Sequence, residues 1–142
     1  MLVKCVSPIP IRYDNIIYVH PGDPLQTIVN TFTNKILCLE AGVYKGPIYI
    51  GANVNNLTIK SMSKWGAILD GGNADYTIKL DNTSNICVKD IIILNGTYGL
   101  SVKNCNECTI EHSKIRLFRE DGIHMYNSSG NTITYIPQVQ YA

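Results

Sequence analysis

Three consecutive segments of the chain, YTIKLDNTSNICVKDIII (76–93), YGLSVKNCNECTIEHSKI (98–115) and DGIHMYNSSGNTITYI (121–136), align without gaps at offsets of 22 and then 23 residues. Ile78, Leu100 and Ile123 coincide, as do Leu80, Val102 and Met125, then Asn82, Asn104 and Asn127, then Val88, Ile110 and Ile133. Ile93 also falls on Ile115, and the single-residue lengthening sits in the loop RLFRED. Within each unit apolar and polar residues alternate with the period of a strand that has one buried face. A unit of this size cannot bury its apolar face alone. Units joined head to tail with no antiparallel return must therefore stack, each strand parallel to its equivalent in the next unit.

The pattern extends backwards with longer connections. Residues 47–72 contribute Ile48 and Ile50, then Leu57 and Ile59, then Ile68; KILCLEAGVY adds a strand through Leu37 and Leu39. About three short strands per unit, repeated over three to four coils, predict an all-β parallel β-helix, a solenoid of about 22-residue coils. An antiparallel sandwich explains no such repeat. With 142 residues the chain suits one core, so 1–142 reads as a single β-helix domain: an N-terminal segment 1–16, a capping helix 23–33, and coils over 35–136. Nine Tyr against two Phe, with abundant Ile, Val, Thr and Asn, agree with strands and turns.

Both ends of a solenoid need cover. At the N-terminal end Asp23 is expected to cap a short helix with Pro24 at its first position and Leu25, Ile28, Val29 and Phe32 as its apolar stripe. The closing TYIPQVQYA has no amphipathic segment, which leaves that end bare. Either further coils follow or a second copy covers it, as a homo-oligomer.

The Asn and Cys residues of 104–108 read as architecture. Asn82, Asn104 and Asn127 share one corner, where Asn tolerates a left-handed backbone. Cys108 points inward over Ile86, and Cys105 lies in the turn with Thr83 and Ser128. Five cysteines at irregular spacing predict mostly reduced thiols. Cys105, Cys108 and His112 do not converge under this alternation, so no metal is expected, and Gly71-Gly72 is a turn between strands, not a phosphate loop. No cofactor is implied. A formal charge of +1 indicates neither nucleic acid nor anionic membrane as partner. No run approaches the eighteen or so apolar residues of a membrane span, and the N-terminus shows no signal peptide.

Taken together, HPGDPLQTIVNTF, KILCLEAGVYKGPIYI, NLTIKS, AILDGG, YGLSVKN and DGIHMYNSSGNTI resemble the right-handed parallel β-helix superfamily typified by pectin and pectate lyases, over roughly residues 17 to 136. The resemblance implies a right-handed coil. The superfamily holds polysaccharide lyases, polygalacturonases, epimerases, carbohydrate-binding repeat proteins and viral tailspikes, so it implies a polysaccharide or glycan partner and an extracellular or virion setting. It does not choose the activity.

Outward positions of the first strand in each repeat are the natural place for such a ligand. Lys79, Ser101 and His124 form one column, and Asp81, Lys103 and Tyr126 the next; Lys79, Ser101, Lys103, His124 and Tyr126 are the candidate ligand-binding residues. His124 and Tyr126, with Lys103 diagonal to them, are candidates for catalysis, since removing a proton beside a uronate carboxylate needs a base and a cation. Glu120-Asp121 reads as an ordinary loop feature. Tyr44, Tyr49, Trp65, Tyr76, Tyr98 and Tyr126 are expected at turns or outward positions, suited to stacking on sugars. The reading is a carbohydrate-binding or structural β-helix module, as in a spike or larger assembly. Its rival is a polysaccharide lyase or glycosidase acting on acidic polysaccharide.

Overall fold

A computed structural model of the chain describes residues 15–134, and the backbone of residues 139–141. Strand β1 (Ile16–Val19) leads to helix α1 (Leu25–Thr31), and the chain then winds through β2 (Ile36–Leu39), β3 (Gly42–Lys45) and β4 (Ile48–Ile50). The next round is β5 (Leu57–Ser61), β6 (Ala67–Asp70) and β7 (Tyr76–Asp81), followed by β8 (Ile86–Lys89), β9 (Ile92–Leu94) and β10 (Tyr98–Lys103). After β11 (Thr109–Glu111), β12 (Lys114–Phe118) and β13 (Ile123–Tyr126) come β14 (Thr132–Thr134) and β15 (Val139–Tyr141). The strands sort into three sheets, ordered β1-β2-β5-β8-β11-β14, β3-β6-β9-β12-β15 and β4-β7-β10-β13. Every pairing among the described residues is parallel. This is the parallel β-helix that the repeat predicts, in about five turns instead of three to four. The early turns escape the count because α1 and longer connections interrupt their spacing.

Register follows the repeat. Leu100 pairs with Ile78 on one side and Ile123 on the other, and Val102 with Leu80 and Met125. Ile110 lies between Val88 and Ile133. Ile78, Leu80, Val88, Leu100, Val102 and Ile110 are wholly buried, so each interior column is a continuous file of aliphatic side chains about 4.8 Å apart. One placement shifts by a residue: Ile68 pairs with Ile92 on the outer face, and it is Leu69, paired with Ile93, that enters the core.

The corners carry the left-handed backbone. Asn82, Asn104 and Asn127 have φ of 55, 53 and 48°, and Asn127 Nδ2 donates to Asn104 Oδ1 at 2.5 Å. Further bends use the same device, at Asn34, Asn56, Asn85 and Glu107, at Asn73 and Asn95, and at Asp90 and His112. Asn recurs there because its short amide tolerates a conformation that costs most residues roughly 1–2 kcal/mol. Cys108 is buried over Ile86 as expected, and Cys105 is buried within its turn. Cys38, Cys105 and Cys108 carry free thiols, whereas Cys87 is disulfide-bonded.

Helix α1 closes the N-terminal end with Leu25 and Val29 buried and Ile28 and Phe32 packed against the core. Its cap differs from expectation. Pro24 itself is the N-cap and no side chain caps the helix; the Asp23 carboxylate instead accepts the His20 backbone N–H at 2.8 Å, closing the turn before it. Gln26 does the sealing at the sheet edge: its Nε2 donates to Tyr49 O at 2.8 Å and its Oε1 accepts Tyr49 N–H at 2.7 Å. At the opposite end Met125 and Ile133, in core register, are 39% and 40% exposed. The closing residues 135–138 lie outside the described residues.

Tyr44 also departs from its expected outward place. It is 2% exposed, and its hydroxyl donates to Val19 O and Glu40 O at 3.0 and 2.7 Å. Burial, with Glu40 nearby, pushes its pKa up to about 12.

Two outcomes follow from this core. Leu100→Ala removes a wholly buried side chain held between two coils and should lower unfolding free energy by about 2–5 kcal/mol in urea denaturation. The Tyr44 phenol ionises at about pH 10 when unfolded and at about 12 when folded. Its stabilisation is therefore complete below about pH 10 and lost as pH rises through about 12. Tyr44→Phe should flatten that fall in denaturation midpoints measured across the range.

Candidate functional site

Because side chains alternate across a strand, the residues between the buried positions of β7, β10 and β13 face outward, and parallel register lines them into columns. Tyr49, Lys79, Ser101 and His124 form one file across β4, β7, β10 and β13. Asp81, Lys103 and Tyr126 form the second, and Tyr76 pairs with Tyr98 where β7 and β10 begin. The structure thus brings all five predicted ligand-binding residues onto one face, with Lys103 beside Tyr126 and diagonal to His124. Their exposure is uneven: Tyr126 is 60% exposed and Tyr49 41%, while Ser101 is at 9% and contributes floor more than contact.

Neighbours hold these groups in place. The Tyr98 and His124 rings stack with centroids 4.6 Å apart and an interplanar angle of 23°. Asp121 Oδ2 lies 3.4 Å from His124 Nδ1. The Tyr98 hydroxyl hydrogen-bonds Glu120, which raises its pKa. Tyr49 donates to Asp81 Oδ2 at 2.9 Å, and that bond raises its pKa too. Lys79 Nζ sits 5.7 Å from the Tyr76 ring centroid, within cation–π range. Burial, and to a smaller extent the nearby Asp75, pushes the Tyr76 phenol up. The face therefore presents stacked rings, two cations and several carboxylates on a rigid sheet.

Glu120 and Asp121, which sequence reasoning set apart from this face, lie beside it: the Glu120 carboxylate hydrogen-bonds the Tyr98 hydroxyl, and the Asp121 carboxylate meets His124. The signal lay in the three-residue spacing from Asp121 to His124 and in the register of Tyr98. Trp65, in contrast, lies away from it at a bend between the first and second sheets. Its Nε1 donates to His112 O at 2.6 Å, and Lys114 Nζ stands 3.9 Å from its ring centroid. The Cys pair is likewise structural. The Cys105 thiol donates to Lys103 O at 3.1 Å and the Cys108 thiol to Asn106 O at 3.7 Å. Among the described residues no group of three or more His, Cys, Asp or Glu is placed to hold a metal ion, and no helix is long and apolar enough to cross a membrane.

No protein-family model matches the chain, and no curated protein does. Solved structures do. A PL6 family alginate lyase, AlyGC, superimposes with a TM-score of 0.62 at 16% identity, covering 85% of this chain and 20% of its own. Escherichia coli YbhC superimposes with a TM-score of 0.66 at 13% identity, covering 87% of this chain and 48% of its own. The chain thus spans less than half the length of either. At these identities the likeness is one of fold: the chain has the right-handed parallel β-helix fold that its sequence pattern resembles.

Proposed function

We propose that the outer face of the third sheet binds a polysaccharide chain, and that the protein acts as a carbohydrate-binding β-helix module. The observation that carries this reading is the alignment of Tyr49, Tyr76, Tyr98, His124 and Tyr126 with Lys79 and Lys103 on one rigid face. Rings present apolar area to sugar faces at low entropy cost, and the flanking hydroxyls, amines and carboxylates take hydroxyl groups. The rung spacing of about 4.8 Å is comparable to the length of one hexose unit, so a chain laid along the axis meets equivalent side chains at each coil. The fold neighbour that is an alginate lyase supports a polysaccharide as the partner class.

A second reading, a lyase acting on acidic polysaccharide, is favoured by the Asp121–His124 contact of 3.4 Å. In that case His124 or Tyr126 removes the proton beside a uronate carboxylate, Lys103 offsets the developing charge, and the bond to the leaving sugar breaks by β-elimination.

Binding to pectate, alginate and neutral polymers, measured by glycan array and calorimetry, tests the module. Tyr98→Ala should weaken binding about twofold to tenfold, since one ring contact contributes about 0.5–1.5 kcal/mol. No binding to any polymer would overturn the proposal. Unsaturated-product absorbance and reducing ends are followed in parallel with the same polymers; turnover abolished by His124→Ala and by Lys103→Ala would replace the module with the lyase.

A further inference from the structure

We propose that Cys5 is the disulfide partner of Cys87, and that this bond fastens the N-terminal segment to the outer face of the first sheet. The chain has five cysteines. Cys38, Cys105 and Cys108 carry free thiols, and Cys87 is disulfide-bonded. Within one chain that leaves Cys5, which lies outside the described residues.

Register puts the two cysteines within reach. Cys87 pairs with Thr58, Thr58 with Ile36, and Ile36 with Ile16, the first residue of β1. The chain therefore enters the sheet on the same file that holds Cys87, three rungs away. At about 4.8 Å per rung, the gap from Ile16 to Cys87 is roughly 14 Å. The connection from Cys5 to Ile16 spans up to about 36 Å when extended, and a disulfide needs its two Cα atoms about 5.5–6 Å apart. The chain length is ample.

Exposure along that file supports a cover over it. Thr58 and Cys87 alternate with inward neighbours and so point outward, yet they are only 4% and 1% exposed. A strand with one solvated face alternates buried and open positions, whereas β5 and β8 each begin with three consecutive buried residues. Beyond Cys87 the burial fades: Thr109 is half-buried and Thr132 is exposed. Helix α1, the only helix among the described residues, packs at β4. Val6, Ile9 and Ile11, on either side of the proline pair's first member, offer the apolar side chains that such a cover needs. Forming the bond joins the two sulfurs as each thiol loses its hydrogen. Two electrons and two protons pass to a disulfide oxidant such as oxidised glutathione, which leaves as two thiols. The pairing leaves the outer face of the third sheet open and holds whether or not a glycan binds there.

The test uses the intact chain after exposure to oxidised glutathione. Iodoacetamide in denaturant should label three of its five cysteines without reductant and all five after reduction. Non-reducing peptide mapping by mass spectrometry should return the Cys5 and Cys87 peptides joined. Cys5→Ser and Cys87→Ser should each lower the melting midpoint by about 5–15 °C. The double variant should fall no further than Cys87→Ser alone, because both substitutions remove the same bond. Reductant should lower the parent's midpoint and leave those of the variants in place. Five labelled cysteines in the oxidised chain, Cys87 joined to another cysteine or to a second chain, or a double variant less stable than Cys87→Ser would overturn the pairing.

Discussion

Parallel hydrogen bonding between coils constrains everything else in this molecule. A strand of one coil finds its partners only in the coils before and after, so backbone satisfaction and core burial are achieved together or not at all. That requirement fixes the side-chain period along each strand and confines variation in turn length to the connections between strands. It also explains why the corners matter. A coil must bend sharply several times within about 22 residues, and left-handed Asn residues such as Asn82, Asn104 and Asn127 let it do so at the same place on three successive rungs.

The sequence disclosed the fold because the repeat survives in the side chains that face inward. Ile78, Leu100 and Ile123 pair as their alignment indicates, and the Asn corner stacks as its spacing requires. Reading failed where the period is locally broken. Ile68 and Leu69 are both apolar, so alternation alone could not say which enters the core. Tyr44 carries a hydroxyl that finds two backbone carbonyls inside, a satisfaction that composition cannot reveal. Asp23 precedes a helix in the manner of a cap, yet its carboxylate is taken by His20.

The candidate face was legible in part for the same reason. Positions that alternate with core residues must point outward, and a common register then groups Lys79, Ser101 and His124, or Asp81, Lys103 and Tyr126, without further information. What the strands could not show is the contribution of the loops. Glu120 and Asp121 precede β13 and engage Tyr98 and His124, and loop trajectories carry no periodicity from which to read them.

Gln26 shows how one side chain can imitate a strand. By taking both the N–H and the C=O of Tyr49 it occupies the hydrogen-bonding positions that an incoming chain would use, so the rim of β4 cannot template cross-β growth at that residue. The helix shields the apolar interior and the glutamine silences the backbone, two separate hazards of an open sheet met by one short helix.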